Sequence, residues 1–151
     1  MRAKPVQIVL FLLALGTFVA AKDESLDALK ARALRENQPR LYAEVVRRQV
    51  EVADHYYTAG EVQKAEGVVA EIVDLTGKCV DAAQKNQSKL KDTELTLYRA
   101  GRRLEDVRRS LAFDDQPPVQ AAVDRIEKAR RHLLDLMFQP PAKEKPEGKK
   151  P

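Results

Sequence analysis

The chain has no tryptophan, one cysteine, two histidines and six glycines in 151 residues, and only 5% of it is aromatic. A single cysteine excludes an internal disulfide framework and any cysteine-ligated zinc site. Two histidines exclude a His-rich metal site. The glycines are scattered, so no glycine-rich loop is present to cradle a phosphate. No stretch alternates polar and apolar residues between turn signals, which leaves no strand candidate. Charge of one sign is also lacking: 27 Lys and Arg face 23 Asp and Glu, a net of +4. That near balance gives no case for nucleic-acid binding.

What is present is a helix-forming composition rich in Ala, Val, Leu, Lys, Arg and Glu, with 33% charged residues. The first segment reads as an export signal. Arg2 and Lys4 precede an uncharged run from Val6 to Ala21, and the charged Lys22-Asp23-Glu24 follows at once. The run is about 16 residues, short of the roughly 20 that span a bilayer. Val19 and Ala21 suit a cleavage site after Ala21. A secreted or periplasmic location is therefore expected, with membrane contact only through the signal during export. Losing residues 1–21 removes Arg2 and Lys4 and lowers the net charge to +2. At the other end, residues 139–151 are rich in Pro and Lys without an apolar period, and a disordered tail is expected there.

Residues 22–138 carry helical periodicity throughout. Pro39, Ala59-Gly60, Asn86-Gln87-Ser88 and Asp114-Asp115-Gln116-Pro117-Pro118 divide them into a short N-terminal helix and four longer ones. Each longer helix has one apolar stripe. The second holds Tyr42, Val45, Val46, Val52, Ala53 and Tyr56; the third holds Ala65, Val68, Val69, Ile72, Leu75, Cys79, Ala82 and Ala83. The fourth repeats Leu90, Leu97, Leu104 and Leu111, and the fifth holds Val119, Ala122, Val123, Ile126, Ala129, Leu133, Leu136 and Met137. One-sided stripes must pack on one another. Matched lengths and short connections predict an all-α fold, an antiparallel bundle built as an up-down-up-down array or as two stacked hairpins. The seven-residue leucine spacing also suits a coiled-coil seam of a homodimer, although the other helices offer the same kind of face within the chain.

The segment from Val52 to Ala65, with Ala53, Tyr56, Gly60 and Ala65 followed by Val69, resembles the central turn of a tetratricopeptide repeat. The resemblance covers one unit, about Gln49 to Asn86. Gln49 stands where that repeat usually begins with an aromatic or Leu, the closing proline is missing, and no second copy follows at period 34. Such a resemblance implies a scaffold that binds peptides or proteins.

Chemistry-bearing groups are sparse. His55 follows Glu51 by four residues, whereas a Glu-x-x-His di-metal motif needs a spacing of three on two helices. His132 has Arg130 and Arg131 beside it, which repel cations. Cys79 lies within an apolar stripe and reads as a buried thiol. No catalytic residue, cofactor or metal ligand is assigned. The expectation is a non-enzymatic scaffold that binds a protein or a cell-envelope component. The alternatives are a surface binder using arginine-rich helix faces, or a small bundle enzyme or metal carrier. The candidate contact residues are Tyr57, read as the exposed member of the pair Tyr56-Tyr57, and Arg102, Arg103 and Arg109.

Overall fold

Apolar residues at three- and four-residue intervals wind the chain into five helices: α1 (Leu26–Glu36), α2 (Pro39–Thr58), α3 (Val62–Lys85), α4 (Leu90–Ser110) and α5 (Gln116–Phe138). The computed structural model describes residues 24–139, and no strand forms among them. The expected signal at 1–21, its cleavage site and nearly all of the expected tail lie outside the described residues. No helix among the described residues is long and apolar enough to cross a membrane.

Local chemistry sets the helix ends. The Ser25 hydroxyl accepts a hydrogen bond from the Ala28 amide at 3.2 Å and caps α1. Asn37 takes the left-handed conformation (φ 48°) that closes α1, and Pro39 opens α2 without wasting an amide donor. Gly60, at φ +74°, ends α2. The Glu61 amide donates to the Tyr56 carbonyl and the Gly60 amide to the Tyr57 carbonyl, the paired bonds of a Schellman turn. At the start of α5 the prolines occupy the first turn as expected, but the Asp115 side chain makes no capping bond. A 3-10 turn over Phe113–Asp115 leads into the helix instead.

The four longer helices form two antiparallel hairpins. In the first, Gln49 meets Glu71 and the Cys79 thiol donates to the Pro39 carbonyl at 3.3 Å, so α2 and α3 run oppositely. In the second, Arg130 meets Glu94, and Gly101 lies against Ile126, so α4 and α5 do the same. The hairpins then stack with like helices side by side. Arg103 reaches Asp54 across α4 and α2, while Gly77 and Gln84 of α3 meet Arg125 and His132 of α5. Both stacked pairs are therefore parallel, and the turn from α3 to α4 crosses the diagonal. Of the two arrangements compatible with the stripes, the chain adopts the two-hairpin stack.

The short α1 folds back on α2, burying Leu29 and Ala33. Lys30 pairs with Glu71 of α3 at 2.7 Å, and the same carboxylate accepts from the buried Gln49 side chain. Three helices are joined through that one carboxylate, and it satisfies a polar side chain that would otherwise be costly to bury. The leucine seam of α4 faces inward: Leu90, Leu97 and Leu104 belong to the core with Ile72, Ile126 and Leu133.

Two glycines on helices show how packing decides a substitution. A Cβ added at Gly67, on the exposed side of α3, would touch nothing within 4 Å. A Cβ at Gly101 would lie 3.2 Å from Cγ2 of the fully buried Ile126, at the close approach of α4 and α5. Gly67→Ala is expected to stabilise the fold by about 0.5–1 kcal/mol through helix propensity and lower unfolded-state entropy. Gly101→Ala forgoes that gain to crowding. Circular dichroism melts of the two variants check this, and a lowered midpoint for Gly67→Ala would contradict it.

Candidate functional site

The four residues singled out from the sequence lie toward the same end of the stack, because α2 and α4 run in parallel. Their environments differ sharply. Tyr57 is 9% exposed, and Tyr56 is the partly exposed member of the pair, so the expected assignment is reversed. The cause is that α2 packs against α1, α3 and α4 together, which widens its buried arc past one stripe. Gln49 and Tyr57 fall inside that arc, while the Tyr56 ring sits at the margin under the Lys64 ammonium, 5.6 Å from its centroid. The Tyr57 hydroxyl is buried without a hydrogen-bond partner. Burial, and then the negative charges of Glu66 and Asp115, push its pKa above the usual phenol range.

Arg103 and Arg109 are exposed but occupied. Arg103 holds Asp54 at 2.5 Å and lies 3.8 Å from Glu51, tying α4 to α2. Glu105 accepts from Arg108 at 2.7 and 2.8 Å and from Arg109 at 3.0 Å. The Arg108 guanidinium, with Arg109 beside it, holds the Glu105 carboxyl down at about 2. Arg108 also donates to the Gln116 side chain at 2.9 Å, which fixes the start of α5. Arg103 and Arg108 thus tie α4 to its neighbours, and Arg109 is held within α4. Arg102 is exposed and forms no ion pair among the described residues.

Arg102 belongs to a row that sequence reasoning missed. Lys91, Leu95, Tyr98 and Arg102 follow one another on α4 at intervals of four, three and four, with Arg99 beside them, all on the exposed side. Leu95 and Tyr98 are each 41% exposed, a high value for large apolar side chains. The Arg130 guanidinium lies 4.6 Å from the Tyr98 ring centroid, and it is fixed there by Glu94 at 2.6 Å and Glu127 at 2.9 Å. The Tyr98 ring is therefore backed by an anchored guanidinium while the residue stays open to solvent. Lys91, Arg99 and Arg102 have no carboxylate partner among the described residues. The signal for this row was present in the sequence: Leu95 and Tyr98 are the large apolar residues of α4 that do not fit the seven-residue leucine seam.

The remaining titratable groups do not converge. His55 is exposed with its ring tilted against Tyr56, centroids 6.1 Å apart. His132 Nε2 lies 3.2 Å from the Gln84 side-chain amide on another face. Among the described residues no three His, Cys, Asp or Glu side chains are placed to hold a metal ion. The chain matches no protein-family model, no curated protein and no solved structure.

Proposed function

We propose that the protein is an exported, non-enzymatic helical scaffold that binds an acidic protein partner through the outward row of α4. The observation that carries this reading is the company of Leu95 and Tyr98, half-open apolar groups, with Lys91, Arg99 and Arg102, cations that no internal carboxylate neutralises. A rigid aromatic with arginines around it is the composition that dominates interface energetics. Like-charged neighbours without internal partners attract an acidic surface and disfavour a basic one. The resemblance of Gln49 to Asn86 to a tetratricopeptide hairpin is in keeping with a scaffold role.

The test is a photo-crosslinking residue placed at Tyr98 in the producing cell, with the exposed Gln63 of α3 as the control position. Capture of an acidic protein from position 98 and not from 63 is expected. The double variant Tyr98→Ala, Arg102→Glu should weaken that capture by at least about tenfold, the scale of losing one hot-spot side chain, at an unchanged melting midpoint. Undiminished capture would remove the α4 row from consideration. An activity lost in His55→Ala at unchanged stability would instead favour an enzyme.

A further inference from the structure

We propose a second, separate site: the cleft between the parallel helices α3 and α5 binds a carboxylate, with Arg125 and Lys128 as its cationic wall. The cleft measures about 160 Å³ and is lined by Gly77, Asp81 and Gln84 from α3 and by Arg125, Lys128 and His132 from α5, over an apolar floor. Its shape comes from a glycine. The Nη2 end of the Arg125 guanidinium comes so close to Gly77 that a Cβ there would stand 2.9 Å from it, with Cζ at 4.0 Å. A side chain at position 77 would make that end of the guanidinium shift.

Arg125 differs from most arginines of the chain. Arg32, Arg47, Arg48, Arg103, Arg108, Arg109 and Arg130 each hold a carboxylate. Arg125 holds none among the described residues, and its Nε is shut off from solvent without an acceptor. That Nε–H has lost hydration and gained no hydrogen bond, and the guanidinium has no carboxylate partner among the described residues, so a carboxylate supplied from the cleft is favoured. The nearby Asp74 is already engaged by Lys78 at 2.9 Å. Asp81 lines the same cleft but is in ion-pair contact with neither Arg125 nor Lys128, and it is the internal competitor for them. The pairing of Gln84 with His132 closes one end of the cleft.

A carboxylate is the matching ligand. Its two oxygens lie in one plane at the spacing of the guanidinium fork, and Lys128 adds a second cation that can follow a flexible acid. The volume suits a small free acid or one acidic side chain of an extended peptide, and it is too small for a folded element.

The experiment uses the protein purified in the form the producing cell leaves it, labelled with nitrogen-15. Amide spectra are recorded with succinate, with an N-acetylated, C-amidated Gly-Glu-Gly peptide, and with sodium chloride at equal ionic strength. Saturable shifts at Gly77 and Ala129 with either probe, absent with chloride, are expected. Succinate alone assigns a free acid, and the peptide alone assigns a protein side chain. Arg125→Gln should weaken binding at least about tenfold and Lys128→Gln about threefold, in proportion to a lost fork and a lost point charge. Gly77→Ala should weaken it several-fold by pushing the guanidinium aside, and Asp81→Asn should strengthen it. Spectral dispersion reports whether each variant is folded. If Arg125→Gln does not fold, Lys128→Gln and Gly77→Ala decide. Shifts that fail to saturate, that chloride reproduces, or that persist unchanged in the folded variants overturn the site.

Discussion

Leu104→Asp is expected to abolish the folded state. Leu104 is completely shielded from solvent and lies in the core with Leu97, Ile126 and Leu133. The substitution first removes a fully buried apolar side chain, a loss of about 2–5 kcal/mol when a cavity remains. It then places a carboxylate in an apolar core, and burying an unpaired charge adds several kcal/mol more. The sum is comparable to the whole stability of a typical domain, about 5–15 kcal/mol. Val69→Asp, on the buried face of α3, should behave in the same way. Arg99→Gln, five residues earlier on the exposed side of α4, should shift stability by less than about 0.5 kcal/mol. Far-ultraviolet circular dichroism with thermal melts distinguishes them. A cooperative melt for Leu104→Asp near that of the parent chain would mean that the face of α4 carrying Leu97 and Leu104 does not pack on α5.

That core was legible in the sequence because helical period and burial coincide wherever a helix has neighbours on one side. The stripe read on α3 is buried at Ala65, Val69, Ile72, Leu75, Cys79, Ala82 and Ala83, with Val68 at its edge. On α5 the residues Val119, Ala122, Ile126, Ala129 and Leu133 are buried, and Val123, Leu136 and Met137 flank them. On α2 the stripe is only part of the buried surface: Tyr42, Val45, Val46 and Ala53 are buried, Val52 and Tyr56 are half-buried, and three neighbouring helices widen the buried arc. There Gln49 is buried despite its polarity because Glu71 accepts its hydrogen bond, and Tyr57 displaces Tyr56 from the interior. Neighbour number is a tertiary property, and no periodicity within α2 encodes it. The surface was less legible for a related reason. Paired arginines look alike in sequence, yet Arg103 and Arg109 are spent on Asp54 and Glu105 while Arg102 is not. Which arginine remains available depends on carboxylates up to 49 positions away along the chain. The choice between the two bundle arrangements turned on the Asn86–Lys89 connection. Its length permits either a neighbour or a diagonal, and the left-handed Lys89 (φ 57°) accompanies the diagonal course.

The second large effect is expected at Cys79, whose thiol should be almost inert in the native protein. The side chain is fully buried on α3 and donates to the Pro39 carbonyl at 3.3 Å. Loss of hydration disfavours the thiolate and pushes the pKa up to about 12 from its ordinary 9.0, a shift only partly offset by a backbone hydrogen bond from Ala43. The thiolate is the reacting species, so at pH 8 that shift alone lowers its population about a thousandfold. Exclusion of the reagent adds to this, and labelling must then wait for opening of the bundle. Reaction with an aromatic disulfide reagent should therefore be at least about three orders of magnitude slower than in the denatured chain. The sign of the pH dependence follows from the direction of the shift. Because the folded value is raised, the contribution of the protonated thiol to stability is complete below pH 9. It is lost as the pH rises from 9 through about 12, because only the unfolded chain ionises over that interval. Denaturant melts at pH 8 and pH 10.5 should thus show a lower midpoint at the higher pH, and Cys79→Ala should reduce that difference. Labelling of the native protein within about tenfold of the denatured rate, or a covalent dimer formed on mild oxidation without unfolding, would show that the α2/α3 hairpin exposes its thiol.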